Sequence, residues 1–377
     1  MLNYEFPPVG GGAGKAHQSL LRQYANTQNL KIDILTSAPK PGFFEEQFST
    51  NINVYKVGVH KKNLHHWRKI EVIEWLLKAR SHYRRLVQNN DYVFAHAFFG
   101  FPTGWLCYRT AKKLPYIISL RGSDVPGKHA RLQLDYKILA PVFKLIWKNA
   151  AALVACSEGL KNRALSFLPN ISIDVIPNGV DLEQFYPAET NEKHETLRLL
   201  TVGRLSVTKR IQTLLDVAEM LYRQGCKLHL TIVGGGNLEN NLRKIVLQKN
   251  LGDIVEITGR VESEKMPQLY RQNHIFISAT MQEGMSNAML EAMASGLPIV
   301  TTPCEGVREL IADNGIVVEQ AKAESIANAV KSIADNEKLY DKMCFEARKQ
   351  VENFSWKSVA DKYLNYYDGI INNITKK

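Results

Sequence analysis

Two glutamates, Glu283 and Glu291, flank the start of a short apolar run in the second half of the chain. Ser286 between them is a favoured N-cap residue type, so the pattern predicts a helix over residues 287–294. The sequence SGLP at residues 295–298 predicts its end, because glycine and proline commonly follow the last helical turn. One carboxylate therefore precedes the helix and the other lies inside it.

The start of this predicted helix has the properties of an anion site. Gly284 lets the backbone approach a ligand closely, and the N–H groups of a helix start are donors that suit phosphates. Glu291 lies ~7 Å further along the helix, which is roughly the reach from a distal phosphate to a ribose. The element could hold a phosphate at its start and ribose hydroxyls on Glu291, leaving Glu283 beside the group that the phosphate carries.

On spacing alone, two such glutamates are typical of a solvated pair on an amphipathic helix. The whole run at residues 283–300, EGMSNAMLEAMASGLPIV, resembles the signature of family 4 retaining glycosyltransferases. The resemblance covers almost the whole chain. It implies the α/β fold called GT-B, with two Rossmann-like domains facing across a cleft, and a nucleotide-diphosphate sugar donor. The donor contacts that it implies in this run are Glu283, Gly284, Met285, Ser286, Asn287 and Glu291.

Two cations follow the first predicted strand of the second half, in the sequence VGRLSVTKR at residues 202–210. Arg204 offers a planar, multi-donor head and Lys209 a mobile point charge. Loops at the carboxyl ends of strands are where open α/β sheets bind ligands. A solvated loop is the alternative, but both residues match the family's arginine and lysine in spacing. The resemblance implies that they clamp the donor diphosphate and act with Glu283 in catalysis.

Three glycine-containing segments follow predicted strands. The loop GGGAG at residues 10–14 fits neither the Walker A nor the dinucleotide-binding spacing. It resembles the family's N-terminal glycine loop, which implies that Gly11 and Gly12 face the donor diphosphate; a tight β–α turn is the alternative. The sequences IVGGGN at 232–237 and TGRV at 258–261 resemble segments near the nucleotide and its base. From these two segments, Gly235, Arg260 and Val261 are further expected donor contacts.

Three polar residues end predicted strands of the first half. His96 follows an apolar strand, and the family often has a cleft histidine here, so we expect a catalytic role, with a structural histidine as the equal alternative. Arg121 stands where many relatives have histidine, and it could meet the sugar, the phosphate or an anionic acceptor. Asp124 is a second acceptor-side candidate, whose alternative is to cap the following turn.

Composition bounds the class of protein. The chain has 377 residues, of which 45% are hydrophobic and 23% charged, as in a soluble globular protein of two domains. No apolar run reaches the ~18 residues of a membrane span. Five scattered cysteines without a CxxC pair favour a reducing compartment, hence the cytoplasm, and argue against a zinc site. The net charge of +11 favours an acidic partner.

Apolar, β-rich runs alternate with helical patterns in both halves, which predicts two parallel α/β domains. We expect an acceptor-side domain over 1–181, a donor domain over 182–355 beginning with a polar linker at 187–196, and a final helix over 356–377. The resemblance implies that this helix packs back onto the first domain. The opening sequence MLNYEF resembles the second half of a buried strand, so we expect residues upstream of Met1 and a weakened centre of the first sheet.

The stretch from Lys56 to Leu86 is strongly basic. Its cations are Lys56, Lys61, Lys62, Arg68, Lys69, Lys78, Arg80, Arg84 and Arg85. With Trp67 and Trp75 as aromatic anchors, such a helix is typical of peripheral contact with an anionic membrane. A solvated helix packed on the sheet is an equal alternative. No nucleic-acid fold signature accompanies the charge, so no nucleic-acid partner is expected.

The sequence thus predicts a hexosyltransferase that uses a UDP-sugar, UDP-glucose foremost. The expected acceptor is a saccharide or lipid-linked saccharide in bacterial polysaccharide synthesis. We expect no metal and no other cofactor, because Arg204, Lys209 and the helix start at 284–286 would stabilise the departing diphosphate. A sugar-nucleotide 2-epimerase of the same fold and a non-catalytic nucleotide-sugar-binding protein are the alternatives. Acceptor-dependent release of nucleoside diphosphate separates the three.

Overall fold

The alternation of strands and helices continues along the chain in the computed structural model, which describes residues 1–25, 27–127, 133–189 and 195–375. The chain forms two compact units, Met1–Asn178 with Trp356–Lys377, and Gly179–Ser355. The first unit ends at Asn178, whereas the sequence predicts a boundary three residues later, after Asp181. Residues 190–194 of the predicted linker lie outside the described residues.

The first unit is built mainly from strand–helix repeats. Its strands are β1 (Ile32–Ala38), β2 (Phe43–Ser49), β3 (Ile52–Gly58), β4 (Ala95–Phe98), β5 (Tyr116–Leu120), β6 (Ala152–Ala155) and β7 (Asp174–Val175). Its helices are α1 (Gly12–Tyr24), α2 (Lys69–Asn89), α3 (Thr103–Tyr108), α4 (Gln133–Lys148), α5 (Glu158–Phe167) and, from the end of the chain, α13 (Trp356–Thr375).

Two groups of strands in this unit, in the orders β1-β3-β2 and β4-β5-β6-β7, are joined by a single residue. Leu2 forms parallel bridges to Leu35 on one side and to Ala97 on the other. The expectation that the opening run MLNYEF forms a strand is therefore wrong beyond this bridge. Pro7 and Pro8 have no N–H to donate, and the chain turns there, with the Val9 N–H donating to the Phe6 carbonyl at 2.8 Å.

Strand β2 is missing from the sequence prediction. It pairs antiparallel with β3, whereas β1 and β3 run parallel. Most of its side chains are exposed, so its sequence FFEEQFS lacks the apolar alternation that marks a half-buried strand. Its position at the edge of the sheet explains this composition, since an edge strand tolerates charged side chains.

Helix α13 belongs to the first unit, where it packs against α1. Val359, Tyr363 and Tyr367 are buried, as their helical spacing predicts. Tyr366 lies at the rim and donates its hydroxyl to Asp174 at 2.7 Å. No helix within the described residues combines the length and the apolar character that crossing a membrane requires.

The second unit holds one parallel sheet in the order β10-β9-β8-β11-β12-β13. Its strands are β8 (Leu197–Val202), β9 (Leu228–Val233), β10 (Val255–Gly259), β11 (Ile275–Ile277), β12 (Ile299–Thr301) and β13 (Gly315–Val317). Its helices are α6 (Ile211–Arg223), α7 (Glu239–Gln248), α8 (Met266–Arg271), α9 (Asn287–Ala294), α10 (Val307–Leu310), α11 (Ala323–Ala334) and α12 (Glu337–Val351).

The order of this sheet decides where a ligand can bind. Strands β8 and β11 are neighbours although β9 and β10 lie between them in the chain, so the direction of strand addition reverses beside β8. In an open parallel sheet such a reversal leaves a crevice at the carboxyl ends of the strands. The loops after β8 and β11 contain Arg204, Lys209 and Glu283, which the sequence singles out.

Candidate functional site

The loops after β8, β9 and β10 pack backbone against backbone at the carboxyl edge of the second unit. The Gly234 N–H donates to the Gly259 carbonyl at 2.7 Å, and the Leu205 N–H donates to the Gly235 carbonyl at 3.1 Å. A Cβ at Gly234 would lie 1.9 Å from the Gly203 carbonyl oxygen, so only glycine fits there. The glycines of this turn thus bring the strand-end loops together.

Gly235 and Arg260, two predicted donor contacts, lie side by side. A Cβ on Gly235 would come within 3.1 Å of the Arg260 Nε, so the glycine makes room for this side chain. Burial and the nearby positive charge of Arg204 lower the pKa of Arg260, and Glu239 opposes the shift. Two guanidinium groups are therefore grouped at this edge, where they favour an anion. Val261 follows as a half-buried neighbour.

Lys209 and Glu283, which are far apart in sequence, form a direct ion pair between the Nζ and Oε2 atoms. Their side chains remain 21% and 23% exposed, so solvent reaches both. The backbone N–H of Glu283 donates to the Glu305 carboxylate at 2.8 Å, which fixes the loop that carries Glu283. The predicted phosphate ligand and the predicted sugar-facing carboxylate are thus adjacent groups, and an anion that binds Lys209 must compete with Glu283.

Helix α9 begins as the sequence predicts. Ser286 is the N-cap, and its side chain accepts from the Met289 N–H at 3.3 Å. Met285 and Ser286 are buried, so they anchor the start of the helix in the core. Gly284 packs against the loop after β12, because a Cβ at Gly306 would lie 2.6 Å from the Gly284 carbonyl oxygen. At the other end, Arg348 donates to the Ala294 carbonyl at 2.9 Å.

Glu291 has a partner that the sequence does not reveal. The buried Tyr270 donates its hydroxyl to Glu291 Oε2 at 2.7 Å and lies 3.2 Å from the Ala288 carbonyl oxygen. Burial and the negative charge of Glu291 raise the pKa of Tyr270 well above its usual value, so it stays a donor. This bond holds one carboxylate oxygen of Glu291 in place on the second turn of α9.

In the first unit, the glycine loop before α1 already contacts a carboxylate of its own chain. The Gly11 N–H donates to Glu5 Oε2 at 3.2 Å. Gly10 has a φ of +100°, and its carbonyl lies 2.8 Å from His65 Nδ1. Gly12 is the first helical residue. A phosphate at Gly11 would have to displace the Glu5 carboxylate, and the donor contacts of Gly11 and Gly12 stay predictions.

His96 lies in the interior, with 1% of its surface exposed. Its Nδ1 is 2.7 Å from the Tyr367 hydroxyl and its Nε2 is 2.8 Å from Ser119 Oγ, which in turn meets Tyr363 at 3.0 Å. Burial, followed by the positive charges of the chain terminus and Arg121, lowers the pKa of His96 well below its usual value. Both ring nitrogens are thus engaged inside the unit, which favours the structural alternative, and the catalytic role of His96 stays a prediction.

Arg121 and Asp124 take different places in the loop after β5. Arg121 is half-buried and donates to Asn178 Oδ1 at 2.7 Å. The buried Asp124 accepts from the N–H groups of Arg121 and Gly122, each at 2.9 Å, and of Gly100 at 2.7 Å. Its carboxylate therefore organises two strand-end turns. These bonds favour the turn-capping alternative for Asp124, and its acceptor-side role, like that of Arg121, stays a prediction.

The basic stretch folds with its predicted aromatic anchors facing inward. Trp75 is fully buried and donates to the Thr36 carbonyl at 3.1 Å, and Trp67 lies under Lys61 Nζ, 3.9 Å from its ring centroid. Lys61 is itself buried against Glu71 at 2.8 Å. Burial opposes ionisation of Glu71, but hydrogen bonds from Lys61 and Arg68 lower its pKa to about 2. Trp75 therefore belongs to the core, while the half-buried Trp67 covers the buried Lys61 side chain at its edge.

The exposed face of α2 carries other residues. Ile70, Ile73 and Leu77 are 67%, 53% and 65% exposed. Their spacing of three and four residues places them on one side of the helix, opposite the buried Trp75 and Ala79. An apolar row with this exposure, next to exposed cations, is the part of the basic stretch that is free to meet a partner.

Two family models together match most of this chain. The family described as Glycosyltransferase Family 4 matches residues 10–184, and the one described as Glycosyl transferases group 1 matches residues 183–350. An uncharacterized glycosyltransferase of Methanocaldococcus jannaschii is 25% identical, covering 84% of this chain and 86% of its own. The amylovoran biosynthesis glycosyltransferase AmsK of Erwinia amylovora is 26% identical, covering 64% of this chain and 61% of its own.

Solved structures show the same fold. Sucrose-phosphate synthase from Thermosynechococcus elongatus superposes with a TM-score of 0.84 at 20% identity, over 99% of this chain and 98% of its own. HepE of Anabaena, solved with UDP and glucose, superposes with a TM-score of 0.75 at 14% identity, over 98% of both chains. These likenesses confirm the predicted GT-B fold class. The chain belongs to the family 4 glycosyltransferases, and it is a glycosyltransferase.

Proposed function

We propose that this glycosyltransferase moves a hexose from a UDP-sugar, UDP-glucose foremost, to a saccharide or lipid-linked saccharide acceptor in bacterial polysaccharide synthesis. The anomeric configuration is kept. The observation that carries the proposal is the ion pair between Lys209 and Glu283. Glu283 lies just before α9, and Glu291 lies within α9. HepE, which was solved with UDP and glucose, and AmsK, which is named for amylovoran synthesis, support the choice of donor and pathway.

The donor diphosphate is stabilised by the cations of the second unit. When the bond from the anomeric carbon to the phosphate oxygen breaks, its electron pair stays with the diphosphate, whose charge grows. Arg204 and Lys209 both lie in the segment that follows β8, and Lys209 exchanges its contact with Glu283 for a phosphate oxygen. Donors held in place before the step lower the barrier, because they need no reorganisation as the charge develops. In this proposal no metal ion and no other cofactor is required.

Glu283 acts on the sugar. Once Lys209 turns to the phosphate, the Glu283 carboxylate is free to accept a sugar hydroxyl and to stabilise positive charge at the anomeric carbon. Glu305 acts as a positioning residue, since it holds the Glu283 backbone N–H. The acceptor hydroxyl attacks the anomeric carbon from the side that the diphosphate leaves. Its proton passes to the departing phosphate oxygen, which balances the step.

The nucleotide is held through its ribose by Glu291. Tyr270 occupies one carboxylate oxygen, and the remaining acceptor capacity of the carboxylate suits the two ribose hydroxyls. Because a carboxylate accepts from hydroxyls and donates nothing, this contact also selects a diol over a phosphorylated ribose.

The acceptor is reached from the cytoplasmic face of the inner membrane. Ile70, Ile73 and Leu77 form an exposed apolar row on α2, and exposed Arg80, with other cations, lies nearby on the same helix. Such a face binds anionic bilayers by apolar insertion and by charge, each cation being worth about 1 kcal/mol. The contact is peripheral, reversible and weakened by salt.

The test begins with calorimetry of UDP-glucose, UDP-GlcNAc, UDP-galactose and GDP-mannose. The preferred donor is then incubated with free and lipid-linked oligosaccharides, and UDP release and the anomeric proton signal are recorded. We expect acceptor-dependent UDP release and a product of unchanged anomeric configuration. UDP release that needs no acceptor, together with a 2-epimeric sugar, would favour the epimerase. Tight donor binding without turnover on any acceptor would favour a binding protein.

A further inference from the structure

A pocket of about 540 Å³ lies in the first unit, away from its glycine loop. It is formed by the last turns of α2, the segment that follows α3, and Asn149 just after α4. The segment 108–113 directly precedes β5, and Asn149 precedes β6. The pocket therefore lies at the amino ends of these strands, whereas Arg121 and Asp124 follow their carboxyl ends.

Four cations line this pocket: Arg84, Arg109, Lys112 and Lys113. No carboxylate lines it, and within the described ranges none of the four has an acidic partner. Other cations of the same stretch are paired: Lys61 and Arg68 bind Glu71, and Lys78 binds Glu74 at 2.6 Å. Like charges that share a pocket repel one another unless an anion joins them. All four cations are exposed, and their clustering without an acidic partner favours an anion of more than one charge.

The chemistry of these side chains suits phosphate. An arginine fork gives two parallel hydrogen bonds to phosphate oxygens, and lysines add mobile charge. Arg84 and Arg109 come from different elements, α2 and the end of α3, so the pocket provides two forks. The exposed Gln88 adds a neutral amide.

The exposed face of α2 indicates where such a phosphate comes from. Arg84 follows Leu77 by seven residues, two helical turns, and so lies on the same side of the helix as Ile70, Ile73 and Leu77. One face of α2 thus passes from an apolar row into the cationic pocket. A lipid has this same order of parts, with acyl chains next to a phosphate headgroup.

We propose that this pocket is a binding site for a phosphate ester, separate from the donor site. A lipid headgroup and a soluble sugar phosphate carry the same group, and the apolar row of α2 favours the headgroup. The site rests on its own residues and does not depend on the proposed sugar transfer. It holds the protein at a fixed position on the anionic surface, where diffuse charge alone would leave it free to rotate.

The test compares two double variants of the full chain that remove equal charge. Arg84→Gln with Arg109→Gln changes the pocket, and Arg80→Gln with Arg85→Gln changes two exposed cations of the same helix that do not line it. Binding is measured by sedimentation with phosphatidylglycerol vesicles, with phosphatidylcholine vesicles as control, and by calorimetry with sn-glycerol 3-phosphate. Thermal unfolding and UDP affinity are recorded for all three proteins.

We expect the pocket pair to weaken vesicle binding about tenfold more than the matched pair, because it loses oriented hydrogen bonds as well as charge. UDP affinity and thermal unfolding should not change. If the pocket pair selectively loses binding to vesicles alone, the site recognises a lipid headgroup. If it selectively loses binding to both vesicles and glycerol 3-phosphate, the site binds phosphate esters in general. Equal losses in both pairs, or no binding to either probe by the unaltered protein, would overturn the proposal. Loss of UDP affinity alone, with binding to both probes unchanged, would also overturn it.

Discussion

The carboxyl edges of the two units carry polar residues in equivalent places, yet they have opposite characters. In the second unit, Lys209 and Glu283 are charged, paired and reached by solvent. In the first unit, His96, Ser119 and Asp124 are buried, and their polar atoms bind protein partners. A polar residue after a strand thus indicates a ligand site only where no other part of the chain takes its hydrogen-bonding capacity.

Burial explains the difference in charge. A histidine with both ring nitrogens bonded inside the protein stays neutral, because protonation would place an unsolvated charge there. Asp124 remains hydrogen-bonded to three backbone N–H groups even though burial raises its pKa. By contrast, solvent reaches the partly buried ion pair of the second unit, so a charged ligand can take the place of one partner.

The strongest way to sharpen this comparison is Glu283→Gln. We expect turnover to fall about 10²–10³-fold, because the carboxylate charge meets the developing positive charge of the sugar. UDP affinity should stay the same or rise, since Lys209 loses its competing partner. Steady-state kinetics and UDP calorimetry measure the two effects. Equal loss of UDP and donor binding would show that the residue supports the fold instead.

Removal of the cations should have the next largest effect. Arg204→Ala and Lys209→Ala should each lower turnover about 10–100-fold and weaken UDP more than uridine, since hydrogen bonds to charged groups contribute roughly 1.5–3 kcal/mol. Calorimetry with both ligands measures this. A uniform loss for uridine and UDP would contradict a phosphate contact. EDTA should leave the activity of the unaltered protein intact. Loss of activity in EDTA would contradict a metal-independent reaction.

A smaller effect is expected at the ribose. Glu291→Ala should weaken UDP about tenfold or more, because two ribose hydroxyls lose a charged acceptor. Tyr270→Phe should weaken it less, since it only releases the carboxylate that Tyr270 orients. UDP calorimetry on both variants, with thermal unfolding alongside, tests the order. Unchanged affinity in Glu291→Ala would remove this residue from the site.

The smallest effect on activity is expected where the first unit is buried. His96→Leu should leave the turnover per folded molecule unchanged but cost roughly 2 kcal/mol of stability, because Ser119 and Tyr367 lose their partner. Denaturant unfolding at pH 7.5 and 5.5 measures this. A large loss of turnover in a variant with normal UDP affinity would support the predicted catalytic role of His96.

The same histidine predicts a pH dependence. Its pKa is lowered in the folded chain, so below the unfolded value of 6.5 the unfolded state binds more protons. The stability of the unaltered protein should therefore fall as the pH decreases below about 6.5, and His96→Leu should flatten that slope. Part of the slope should remain in this variant, because burial also lowers the pKa of His17. An unchanged slope would contradict a neutral, buried His96.

Much of the second unit was predictable because its signals are local. The N-cap Ser286 and the helix Asn287–Ala294 are confirmed residue by residue, since capping and propensity act within one turn. The residues that support this helix were not predictable. Tyr270 and Arg348 contact the helix, and Glu305 holds the loop before it; nothing in their immediate sequence marks them.

By itself, the sequence determined the alternation of strands and helices, the family, and which polar residues end the strands, because periodicity and motif spacing are properties of neighbours along the chain. Only the tertiary structure decided which of those residues remain available. It turned Trp75 inward, placed the tyrosines of α13 over His96, and brought Lys209 to Glu283. Burial and long-range hydrogen bonding depend on what packs above a residue, and that element often comes from the far end of the chain.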